Sequence, residues 1–107
     1  TNNWYPGEIL DDARYTEKRV DVLAARAAQA FGEYLPVDER LAVDGRIYRR
    51  LSYGPLLDVF VLDMRTYKDP NGPNRYADPT LGLLGRRQRE WLKRELAASR
   101  ATWKVIA

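Results

Sequence analysis

The chain has 107 residues, 45% hydrophobic and 31% charged, which describes one small globular domain or a piece of a larger one. Lys and Arg outnumber Asp and Glu by 18 to 15, and a net charge of +3 is too small to argue for a nucleic acid as a specific partner. There is no His and no Cys, which excludes a Ser-His-Asp triad, an imidazole base, a thiolate nucleophile, a disulfide and any metal site built on those residues.

Residues 1–15 read as loop, with Trp4 and Tyr5 ahead of the turn signal Pro6-Gly7. Thr16 is placed to cap a helix, and Glu17 lies in its first turn, where the helix dipole favours an acid. Val20, Leu23, Ala24, Ala27, Phe31 and Tyr34 recur at spacings of three and four and form one apolar stripe. Pro36 stops the pattern, so a helix is expected over 17–34.

Asp44-Gly45 leads into a part-polar strand from Arg46 to Tyr53, of the kind found at a sheet edge, and Gly54-Pro55 breaks it. Val59 to Leu62 are all apolar, which predicts a strand covered on both faces within a parallel or mixed sheet. Residues 66–82 make a long loop rich in Gly, Pro and Asn; loops of ~15 residues more often carry function than merely connect. Trp91, Leu92 and Leu96 give the core face of a second helix over 85–99, and Trp103 to Ile106 read as a third strand. No apolar run approaches the ~20 residues of a membrane span. The order is that of an α/β fold with two helices and about three strands. An aromatic-rich opening without Met, and a final strand that stops without a turn residue, lead to the expectation of a segment cut from a larger domain.

Asp63 and Arg65 are the sharpest candidate pair. They follow directly on the most apolar strand, at its carboxyl end, where sites collect in open α/β sheets. Residues i and i+2 of a strand share a face, so the carboxylate and guanidinium are expected side by side; a strand-end ion pair that only anchors the loop is the competing reading. Arg86, Arg87, Arg89, Lys93 and Arg94 crowd the second helix, but Glu90 at i, i+4 from Arg86 and Arg94 marks an ordinary solvated face. Asp11, Asp12, Asp38, Glu39 and Asp69 are scattered and follow no metal-loop spacing.

Three stretches, in order, resemble the alkaline phosphatase D (PhoD-like) metallophosphoesterase family. They are Asn2-Asn3-Trp4-Tyr5-Pro6-Gly7 with Arg14-Tyr15 and the Ala-rich helix that ends at Pro36; Tyr53-Gly54 through Leu62-Asp63-Met64-Arg65-Thr66-Tyr67; and Leu84-Gly85, Gln88, Trp91-Leu92, Leu96, Ser99 and Ala101 to Ala107. The resemblance implies a fragment of a two-sheet calcineurin-like sandwich, taken from the central part of the catalytic domain. It implies hydrolysis of phosphate mono- and diesters at a multinuclear metal centre, with calcium and iron as the metals, in a periplasmic or secreted enzyme.

In that family an Asp-Asp-His-Glu type motif precedes the stretch matched by Asn2-Asn3, Gly-Asp-x-His type motifs follow the stretch that ends at Ala107, and an Asp-rich motif with Cys and Tyr iron ligands stands further upstream. The resemblance therefore puts residues 1–107 between the ligand motifs, with no catalytic residue and no metal ligand inside them. It leaves Asn2, Asn3, Asp63 and Arg65 as residues that touch the substrate or orient those that do. The family's Arg after the aromatic matched by Tyr67 is Lys68 here, and no role is assigned to it. A non-catalytic α/β module whose basic helix binds an acidic partner is the alternative.

Overall fold

The computed structural model describes residues 1–36, 45–73 and 82–107. Asp38, Glu39 and Asp44, and the 74–81 part of the long loop, lie outside the described residues. Five elements follow one another: α1 (Val20–Tyr34), β1 (Arg49–Tyr53), β2 (Leu57–Val61), α2 (Gly85–Ala98) and β3 (Trp103–Ile106). The strands form a mixed sheet in the order β1-β2-β3. β1 and β2 make an antiparallel hairpin with Leu51 opposite Val59, and β2 runs parallel to β3 with Val59 opposite Val105. An antiparallel neighbour needs only the short Gly54-Pro55-Leu56 turn, whereas the parallel one requires the crossover through α2.

Tyr48, Phe60 and Trp91 form the core, with Leu62, Tyr67, Leu92 and Leu96 packed around them. The rings of Tyr48 and Trp91 are 4.9 Å apart, and Tyr67 meets Tyr48 edge-on at 5.6 Å. Gly85 allows Tyr67 this close to α2: its φ is +64, and a Cβ there would lie 2.9 Å from the Tyr67 carbonyl oxygen.

Three sequence expectations need correction. First, α1 begins at Val20, and Thr16 does not cap it; Arg19 stands at the N-cap without a side-chain cap. A β-bridge between Ile9 and Arg19, with Leu10 N–H donating to Lys18 O at 2.8 Å, draws residues 17–19 extended against the N-terminal segment. Second, β2 is not covered on both faces: Asp58 and Phe60 are buried on one, while Leu57, Val59 and Val61 are half-buried on the other. Third, Glu90 pairs with Lys93 at 3.3 Å and Arg89 at 3.5 Å rather than with Arg86 and Arg94. The basic residues of α2 are all exposed. The α1 stripe buries Val20 only, and Tyr34 at the far end is 84% exposed.

The buried face of β2 carries a charge. Asp58 accepts hydrogen bonds from the hydroxyls of Ser52, at 2.6 Å, and Ser99, and pairs with Arg50 at 2.7 Å. The bond from Ser52, then that from Ser99, and then Arg50 hold its carboxyl below the usual aspartate range against the opposing effect of burial. A carboxyl acidified by folding stabilises the fold above its unfolded value, about 3.9, and that contribution is lost as pH falls below it. Asp58→Asn is therefore expected to melt lower than the parent chain at pH 7, with the gap closing toward pH 3. Thermal melts followed by circular dichroism at both pH values check this; a gap that widens in acid would contradict it.

Candidate functional site

The site grows from the end of β2. The parallel ladder runs one step past the strand, because Leu62 N–H donates to Ala107 O at 2.8 Å and Ala107 N–H to Phe60 O at 3.0 Å. At Asp63 the chain leaves the sheet, and both backbone polar groups of that residue need new partners. Gln88 of α2, with no exposed surface, supplies them: its Oε1 accepts the Asp63 N–H and its Nε2 donates to Asp63 O, both at 2.8 Å. Nε2 also donates to Leu84 O at 3.0 Å, so the same amide ties the strand end to the start of α2.

The Asp63 carboxylate then shapes the turn. Its Oδ1 accepts the backbone N–H of Arg65 at 3.0 Å and of Thr66 at 2.8 Å, an arrangement in which a short acidic side chain stands in for a backbone carbonyl. The expected side-by-side carboxylate and guanidinium do not form. The period of two that predicted them applies inside a strand, and β2 has ended by Val61.

Arg65 reaches in another direction. Its Nη1 donates to Asn3 Oδ1 at 2.7 Å, joining residues 62 positions apart. Asn3 is held in the left-handed region with φ 51, which Asn tolerates better than other side-chain-bearing residues. Its carbonyl accepts Asn71 Nδ2 at 2.8 Å, and Asn71 Oδ1 accepts the Lys68 ammonium. Asn2 is exposed and makes no hydrogen bond among the described residues. Of the four candidate residues, Asn3, Asp63 and Arg65 are thus brought together, with Asp63 holding the backbone of Arg65 rather than its fork.

Lys68 and Asn71 are the members that sequence reasoning missed. Beside the cluster a cavity of about 450 Å³ is lined by Trp4, Leu23, Ala27 and Phe31 together with Asp63 and Arg65. The α1 stripe therefore faces this hollow instead of a packed core. Burial, with Tyr48 and Asp63 nearby, pushes the Tyr67 phenol up, so it stays protonated at neutral pH and is no base. Among the described residues no three Asp or Glu side chains gather where they could hold a metal ion. These residues do not fit a metal by themselves. What their cations and amides can do is bind and orient an anion.

The profile of the family described as PhoD-like phosphatase matches residues 1–107. Alkaline phosphatase D of Bacillus subtilis (strain 168) is 32% identical over 116 residues, covering 98% of this chain and 20% of the relative. A solved structure of PhoD superposes with a TM-score of 0.70 at 30% identity, covering 97% of this chain and 22% of that one. The chain thus spans about a fifth of the length of the curated relative it matches. Its two helices and three-stranded mixed sheet are part of an α/β metallophosphoesterase fold. The chain belongs to the PhoD-like phosphatase family.

Proposed function

We propose that residues 1–107 are the central part of the catalytic domain of an exported, metal-dependent phosphatase that hydrolyses phosphate mono- and diesters. The observation that carries this reading is the hydrogen bond between Arg65 and Asn3, which puts the end of β2 against the Asn2-Asn3 stretch. In the family that stretch follows a metal-binding motif. Arg65 would there grip a phosphoryl oxygen pair or orient a metal-binding carboxylate with its planar fork, while Asn3 and the Asp63 turn fix its direction. Iron and calcium are the metals this reading assigns. Their ligands would come from outside the described residues, and bound metal would supply Lewis acidity toward the phosphoryl group. No described helix is long and apolar enough to cross a membrane.

The test compares two polypeptides. The intact protein carrying this segment is expected to hydrolyse p-nitrophenyl phosphate and bis-p-nitrophenyl phosphate, to lose both activities on chelation, and to regain them with iron and calcium. The 107-residue segment alone is expected to do neither, since it has no His, no Cys and no gathered carboxylates among its described residues. Turnover by the segment, or an intact metal-loaded protein inert toward both esters, overturns the reading.

A further inference from the structure

Lys68 is only 7% exposed, yet its ammonium meets the neutral amide oxygen of Asn71 and, 5.9 Å away, the face of Tyr5. Arg65 is likewise held by a neutral amide, that of Asn3. The two amides are joined to each other through Asn71 Nδ2 and the Asn3 carbonyl. The neighbouring carboxylates are engaged elsewhere: Asp63 accepts the Arg65 and Thr66 N–H groups, and Asp69 accepts the Gly82 N–H at 2.6 Å. Among the described residues neither cation has a carboxylate partner. A buried ammonium whose partners among the described residues are neutral dipoles is electrostatically incomplete. The cluster carries two positive charges and two amide acceptors in four side chains, and an anion completes it. Asn3 and Asn71, which hold the two cations, are both exposed.

We propose that Lys68 and Arg65 form a two-cation clasp, braced by Asn3 and Asn71, that binds a phosphoryl group and favours the dianionic head of a phosphate monoester over the monoanionic diester. The inference rests on the phosphatase reading and adds to it a residue, Lys68, and a charge preference. Two cations with no carboxylate partner among the described residues gain more from two negative charges than from one, because each fixed charge contributes to the attraction separately. Lys68 is a substrate-binding residue in this account, and Asn71 positions it.

The experiment uses the intact metal-loaded enzyme with Lys68→Met, Lys68→Arg and Asn71→Leu. Lys68→Met is expected to lower kcat/KM for p-nitrophenyl phosphate about tenfold more than for bis-p-nitrophenyl phosphate, the scale of one charge-assisted contact. It is also expected to weaken inorganic phosphate binding, measured by titration calorimetry without turnover, by a similar factor. Lys68→Arg restores both, and Asn71→Leu gives a smaller loss with the same monoester bias. An equal fall for both esters means a structural role and overturns the clasp, as does unchanged phosphate affinity. If the parent enzyme hydrolyses neither ester, the phosphatase reading itself has failed, which is a different result.

Discussion

Arg65→Lys in the intact enzyme is expected to lower kcat/KM toward phosphate esters by about 10–100-fold, the usual cost of losing a residue that orients a site. Folding is expected to change little. The substitution keeps the positive charge but exchanges a planar fork of five donors for a point charge with three. One guanidinium can hold Asn3 Oδ1 with Nη1 while its remaining N–H groups face a phosphoryl oxygen pair or a carboxylate. An ammonium at the end of a flexible stem cannot keep both directions at once. The turn itself is made by the backbone N–H groups of Arg65 and Thr66 on Asp63, and these survive any side-chain change at position 65. Turnover and melting temperature together decide the matter. Normal kcat/KM sinks the functional assignment, and a lowered melting temperature with normal turnover per folded molecule assigns Arg65 to structure alone.

How far the sequence discloses this arrangement depends on the range of the interaction. The second helix is legible because Trp91, Leu92 and Leu96 share a stripe whose burial needs nothing but the adjacent sheet. The edge character of β1 is legible from its part-polar residues; the apolar run of β2 points to a parallel or mixed sheet, and the sheet is mixed, but one face of that strand is only half-buried. The start of α1 is not, because the Ile9–Arg19 bridge outweighs the local capping preference of Thr16, and a contact ten residues away leaves no trace in a capping motif. The α1 stripe is a true periodicity, but periodicity cannot tell a face packed against a core from one that lines a hollow.

At the site the divide is the same. Asp63 and Arg65 are visible from their place after an apolar strand, whereas their partners are not. Nothing local marks Asn3 as the acceptor for a guanidinium 62 positions on, and only the family resemblance singled out that stretch. Lys68 and Asn71 sit in a long loop whose length points to function, but neither its length nor its polarity tells which of its residues are buried. Gln88 stands inside a run of Arg and Glu on α2; the resemblance includes it, but nothing local names the Asp63 backbone as its partner.

Gln88 carries the largest expected effect on stability. Gln88→Leu preserves helix propensity and approximate volume but deletes three hydrogen bonds made by one amide: from Asp63 N–H, to Asp63 O and to Leu84 O. Leu84 O is near a helix start and has intrahelical alternatives, so the cost falls on the two backbone groups of Asp63. These stand where the chain leaves the sheet, and Asp63 is itself buried. Each buried backbone group left without a partner costs about 1–3 kcal/mol, so a loss of roughly 2–6 kcal/mol is expected from the pair. In a small domain that is a large share of the whole. Gln88→Glu separates the two bonds. Its ionised carboxylate keeps the acceptor for Asp63 N–H but turns a negative charge toward Asp63 O, and its protonated form regains a donor. Stability of Gln88→Glu relative to the parent chain is therefore expected to rise as pH falls through the range of the introduced carboxyl, the same direction as for Asp58→Asn. Arg89→Ala, one position away and exposed, provides the control and is expected to stay within ±0.5 kcal/mol. Denaturant melts of the three variants measure all of this, and a Gln88→Leu chain as stable as the Arg89→Ala control would show that the amide clamp on Asp63 contributes nothing to holding the strand end in place.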